Sequence, residues 1–119
     1  MNDYVRKWLS NIVANNQTNP RVTVSRSPQW HALRIKWLEE HKVCDACGIT
    51  TKALLEVHHK VPVHIDPSKE LDWGNLITLC ESPSHNCHLI FGHLLNWKSF
   101  NKNVVQDTQV FYTKLCNRP

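Results

Sequence analysis

Two adjacent histidines, His58 and His59, close the apolar run Leu54-Leu55-Glu56-Val57, and cysteines and further histidines flank them on both sides. Upstream, Cys44 and Cys47 are separated by two residues and followed by Gly48. That spacing lets both sulfurs reach one metal from a tight turn, and glycine accepts the left-handed backbone such a turn often needs. Downstream, Cys80 and Cys87 pair with them to make a four-thiolate set. Four thiolates suit tetrahedral zinc and leave no position open, so the role implied is structural. The second pair has six residues between its cysteines, and His85 lies in that gap as an alternative ligand.

The histidines need a separate chemical account, because zinc held by four cysteines has no use for them. An imidazole that titrates near neutrality can hold a divalent ion or take a proton. His58 and His59 could divide these two tasks, although neighbours on a strand point to opposite faces. The strand is therefore expected to end here if both rings serve one site, and Pro62 supports such an exit. A redox role for the Cys44/Cys47 pair would need a surrounding βαβ pattern, which the sequence lacks.

The elements that must position these groups follow from periodicity. Residues 3–14 place Tyr4, Trp8, Leu9, Ile12 and Val13 at helical spacings, before the breaking segment Asn15 to Pro20 and an extended arm from Arg21 to Arg26. Ser27-Pro28 reads as serine N-cap and first-turn proline of a helix running to about His41, with Trp30, Leu33, Trp37 and Leu38 inward and His31, Arg34 and Lys36 outward. Leu54 to His58 and Leu76 to Leu79 read as strands, joined by a loop from Lys60 to Asp72 and a turn at Trp73-Gly74-Asn75. A helix from His85 to Trp97, capped by Ser84, carries Cys87, His88 and His93, and a last amphipathic helix runs from Asn101 to Leu115 with Val104, Val105, Val110, Phe111 and Leu115 as its apolar residues. The fifth cysteine, Cys116, is expected to be a small core residue on that helix.

With 119 residues the chain is expected to be one domain with a modest core that a metal would staple. No apolar run approaches the roughly 18 residues of a membrane helix, and Met1-Asn2-Asp3-Tyr4 does not begin a signal peptide, so a cytoplasmic protein without membrane contact is expected. Five cysteines in such a compartment argue for metal or free thiols before disulfides. The net charge of +4 favours a polyanionic partner. That bias survives metal loading, because the negative charge of a four-thiolate zinc site and the positive charge of a second divalent ion cancel.

Taken together, Cys44-x-x-Cys47, Val57-His58-His59-x-x-Pro62, Asn75-Leu76-x-x-Leu79-Cys80 and Cys87-His88 resemble the HNH endonucleases, metal-dependent DNA hydrolases with a ββα-metal fold. The continuation Cys87-His88-x-x-x-Gly92-His93 and Asn96-Trp97-Lys98 is similar to small phage-type members. The resemblance implies an α+β fold, a ββα-metal core at about 44–97 with a structural zinc site, flanked by N- and C-terminal helices. The expected division is a helix and arm at 1–26 and a nuclease domain at 27–119, whose last helix spans about 101–116. It also implies that His58, His88 and His93 hold a catalytic ion (Mg²⁺, Mn²⁺, Ni²⁺ or Zn²⁺), that His59 is the general base, and that Asn75 orients the loop around it. The interval from His88 to His93 is five where many members have four, and five residues of regular α-helix leave the two side chains about 140° apart. Lys60, His64, Lys98 and Arg34 are the expected contacts to double-stranded DNA. One site per chain favours nicking by a monomer. The alternative is a zinc-stapled DNA-binding module, or an accessory of phage packaging proteins, that does not cleave.

Overall fold

Leu55–His59 (β1) and Leu76–Cys80 (β2) form an antiparallel pair in which Leu55 faces Cys80, Val57 faces Thr78 and His59 faces Leu76. This is the computed structural model of the protein, and it describes residues 26–119. The expected helix at 3–14 and the arm from Arg21 lie outside the described residues, except for Arg26. Every residue of β2 is buried, and β1 is buried apart from Glu56. A two-stranded ribbon is marginal alone, so both strands depend on what covers them.

Helix α1, Trp30–Glu40, covers part of the sheet through Trp37, which packs with Val57 and Leu76 while Trp30, Leu33, Leu38 and Trp73 close around them. The Trp37 indole N–H donates to Thr78 Oγ1 at 2.9 Å, and the Thr78 hydroxyl donates to the His41 carbonyl at 3.0 Å. His41 stacks on Trp37 with ring centroids 3.6 Å apart. Helix α1 begins later than the Ser27 cap predicts. Ser27 Oγ does accept the Gln29 amide at 3.2 Å, but residues 28–29 form a turn and the regular helix starts at Trp30. Arg34, expected to face outward, pairs instead with Glu56 of β1 at 2.9 Å.

The expected helix from His85 to Trp97 is not an α-helix. Its helical part is a π-turn, His88–Gly92, with Cys87 at the N-cap position; Asn86 Oδ1 accepts the Leu89 amide at 2.9 Å, while Ser84 binds His85 Nδ1 at 2.7 Å. Leu94 and Leu95 then adopt left-handed φ values of 52° and 66°, which ends the turn. Each such residue costs roughly 1–2 kcal/mol, and hydrogen bonds from Leu95 N–H to the Leu89 carbonyl (2.8 Å) and from Asn101 N–H to the Gly92 carbonyl (3.0 Å) hold the exit in place.

Helix α2, Val104–Cys116, closes the other side: Val104 joins the cluster of Cys44, Leu55, Ile77, Leu79, Cys80 and Cys87, and Phe111 meets Phe91 of the π-turn at 4.9 Å. Two expectations fail here. Val110 is 55% exposed, with Thr108 buried in its stead, and Cys116 is exposed. Thr108 can be buried because its hydroxyl donates to the Val104 carbonyl at 2.8 Å, which satisfies the polar atom locally. The architecture is thus α+β, a two-stranded sheet between helices, and among the described residues no helix is long and apolar enough to cross a membrane.

Leu79 is fully buried in the main core cluster, whereas Val110 faces solvent. Leu79→Ala is expected to cost about 2–5 kcal/mol and Val110→Ala less than about 0.5 kcal/mol, as urea unfolding midpoints would register.

Candidate metal centre and active site

Cys44 and Cys47 sit on a knuckle fastened to β2: the Asp45 amide donates to the Thr78 carbonyl at 2.9 Å, and the Gly48 amide returns to the Cys44 carbonyl at 2.9 Å. Gly48 has φ +80°, a left-handed conformation that favours glycine, and a Cβ there would meet the exposed Tyr112 ring at 3.0 Å. Cys80 ends β2 and Cys87 precedes the π-turn. The four sulfurs lie within 4.8 Å of one another, and Cys47 Sγ is 3.7 Å from Cys80 Sγ. Tetrahedral zinc with its usual sulfur distances separates two ligand sulfurs by about 3.8 Å, so the cluster fits such an ion. His85 is not in the cluster.

The electrostatics of the sulfurs agree. Hydrogen bonding with Cys44 and Cys80, followed by burial, holds the Cys87 thiol far above its ordinary range, and burial pushes Cys47 up to about 12. Cys80 is drawn down to about 2 because the neighbouring Cys44 and Cys87 thiols hydrogen-bond to its thiolate. Burial and crowding thus oppose ionisation of Cys47 and Cys87, and a bound divalent cation is what would let their protons leave.

A second cluster forms from His58, His88 and His93, with one ligand nitrogen from each, all within 4.8 Å. His88 Nε2 lies 3.1 Å from His58 Nδ1 and 3.2 Å from His93 Nε2. Two imidazole nitrogens on one metal are separated by about 2.9–3.4 Å, depending on coordination geometry, which brackets both distances. The tautomers point the same way. A carbonyl and a carboxylate accept hydrogen bonds, so His93 donates its Nδ1–H to the Ser99 carbonyl (2.7 Å) and His88 donates its Nδ1–H to Glu81 (3.0 Å). Both Nε2 atoms are then lone-pair acceptors facing each other, an arrangement a cation resolves and a hydrogen bond between neutral rings does not. Burial, reinforced by His88, His93 and His59, depresses the pKa of His58 to about 2, which keeps it an unprotonated donor.

The π-turn is what lets residues five apart share this cluster, because its hydrogen bonds close from i to i+5. Gly92 is needed for close approach: a Cβ would lie 3.0 Å from the His58 ring and 3.2 Å from the His88 ring. Trp97 folds back over the cluster, its ring 5.0 Å from His88 and 4.8 Å from His93.

His59 occupies a different environment. The strand does not end at His58; it continues through His59, so the two rings leave on opposite faces. His59 Nε2–H donates to the Glu70 carbonyl at 2.9 Å, which leaves the basic lone pair on Nδ1. The Trp30 ring lies 4.4 Å from it, and burial lowers its pKa against the opposing effect of the Glu70 hydrogen bond. Asn75 ties down the loop supplying that carbonyl: its Nδ2 donates to the carbonyls of Val61 (3.0 Å) and Lys69 (3.2 Å), and its Oδ1 accepts the Val61 amide (2.9 Å). The Glu70 carboxylate in turn accepts the Ser27 amide through both oxygens, at 2.9 and 3.2 Å.

Of the residues expected at a DNA surface, His64 and Lys98 are exposed, Lys60 Nζ donates to the Gly74 carbonyl at 3.1 Å, and Arg34 is committed to Glu56. Sequence reasoning missed Glu70, Glu81, Ser99 and Trp30, which act through a backbone carbonyl, a charge or a ring face and belong to no spaced motif.

Residues 44–92 match the family model of the HNH endonucleases. No curated protein and no solved structure matches the chain.

Stripping metal from the cysteine cluster with a strong chelator is expected to lower the melting temperature by at least about 10 °C, since a loss of ~2–3 kcal/mol suffices for that in a domain of this size. Calorimetry with parallel metal analysis checks this, and an unshifted transition in metal-stripped protein refutes a structural role. Asn75→Ala removes the acceptor of the partly buried Val61 amide and both bonds from Nδ2, and is expected to cost about 1–3 kcal/mol. Hydrogen exchange at Val61 should quicken selectively, while exchange in α2 stays slow.

Proposed function

We propose, from the match of residues 44–92 to the HNH endonuclease family model, that the protein is a metal-dependent DNA endonuclease that hydrolyses phosphodiester bonds. The observation that carries this reading is the convergence of His58, His88 and His93 on one point, with His59 next in β1 and its Nε2–H already committed. A cysteine staple by itself would call for none of these four side chains.

In this reading His58, His88 and His93 hold a divalent cation, which supplies Lewis-acid stabilisation of the phosphate charge and of the leaving 3′ oxygen. His59 leaves β1 on the face opposite His58, so in this reading substrate reaches past the strand edge and His59 takes the proton of the attacking water at Nδ1. The Glu70 carbonyl keeps the ring in the tautomer that can do so, and the lowered pKa keeps it unprotonated at neutral pH. Asn75 holds the loop that presents the carbonyl, so it acts on the base without touching substrate. The Cys44, Cys47, Cys80 and Cys87 site carries a structural zinc and stays out of the reaction.

Double-stranded DNA is the proposed substrate, bound chiefly through its phosphates, as the net charge of +4 favours. Of the four expected contacts, His64 and Lys98 are exposed and available for phosphate. Arg34 and Lys60 must first exchange their present partners.

Supercoiled plasmid incubated with zinc-loaded protein and Mg²⁺, Mn²⁺ or Ni²⁺ is expected to convert to open-circular DNA, and EDTA to stop it. His59→Ala should lower the rate about 10²–10⁴-fold while leaving DNA binding in place. Salt-sensitive binding without cleavage in every metal would instead assign the chain to a DNA-binding module.

A further inference from the structure

The three imidazoles of the histidine cluster are held by different means. His93 donates to a neutral backbone carbonyl, that of Ser99, at 2.7 Å. His58 turns Nδ1 to the cluster, and its Nε2 is buried with no hydrogen-bond partner among the described residues. His88 donates to a carboxylate: its Nδ1 lies 3.0 Å from Glu81 Oε1.

The chain fixes the position of this carboxylate. Glu81 directly follows Cys80, and its backbone amide donates to the Leu54 carbonyl at 2.7 Å. His88 directly follows Cys87. Carboxylate and imidazole are therefore each one residue from a sulfur of the cysteine cluster, so one tethered framework sets their separation.

We propose that Glu81 is a positioning residue for the cation of the histidine cluster. It holds His88 as the Nδ1–H tautomer, aims the Nε2 lone pair at His58 and His93, and places a negative charge behind a donor set of three neutral imidazoles. A carboxylate behind a ligating histidine makes that imidazole a stronger donor and restricts its rotation. The Glu81 side chain is 40% exposed, so its hydrogen bond to His88 adds little to folding, and its contribution is to metal binding. The inference rests on the reading that His58, His88 and His93 hold the catalytic ion.

The test is calorimetric titration of Ni²⁺ into zinc-loaded wild type, Glu81→Ala, Glu81→Gln and His88→Ala, with zinc content and melting temperature recorded for each. Imidazole ¹⁵N shifts of His88 are measured on the same samples before Ni²⁺ is added. Glu81→Ala is expected to weaken Ni²⁺ binding about 10–100-fold at unchanged zinc content, and to mix the His88 tautomers. Glu81→Gln keeps an acceptor without the charge, so it should restore the single tautomer and part of the affinity. Ni²⁺ affinity in Glu81→Ala within about twofold of wild type, together with loss in His88→Ala, overturns the role of Glu81 alone. Unchanged affinity in His88→Ala overturns the histidine-cluster reading and this inference with it.

Discussion

Four sulfurs from three separate segments must occupy one small volume, and most of the structure can be traced to that requirement. Cys44 and Cys47 bring the knuckle, Cys80 the end of β2 and Cys87 the start of the π-turn. A two-stranded sheet of five-residue strands has little capacity to organise three segments by itself. Packing adds to the closure: Val104, Leu55, Ile77 and Leu79 gather on the same cluster, so the apolar core and the sulfur cluster are one body.

The same closure sets up the histidines. Because Cys87 is fixed, His88 starts the π-turn from a defined place, and because Cys80 is fixed, so is Glu81 behind it. The third histidine of the cluster is reached by a departure from regular geometry. A π-turn followed by two left-handed leucines costs free energy that an α-helix would not, yet it places residues five apart on one side and folds Trp97 over their rings. Local strain of this kind persists where surrounding bonds over-determine it, and Asn101 supplies several: to the Phe91 carbonyl, to Asp107 and, through its amide, to the Gly92 carbonyl.

The site divides its chemistry between the two faces of β1. His58 turns, itself buried, to the half-buried His88 and His93, and His59 turns to Trp30 and the loop carbonyl of Glu70. One strand therefore supplies a candidate ligand and a candidate base that do not compete for the same hydrogen bonds. Asn75, at the far end of the loop from His59, makes that loop rigid enough to hold a tautomer.

The sequence by itself picked out the residues that gather in both clusters, because ligand chemistry depends on residue type and on short spacings that survive any packing. It also determined the two strands and the last helix, whose alternation and helical period are local properties. Only the tertiary structure decided the geometry between them. The His88–His93 interval reads as a mismatch in sequence, and it closes because Gly92 leaves room for the His58 ring and because α2 clasps the turn. Arg34 looked outward until Glu56 of β1 paired with it, and Val110 and Cys116 looked inward until α2 presented its other face to the core. Glu81, Glu70 and Ser99 acquire their roles from partners distant along the chain or from backbone atoms, which residue types alone do not encode.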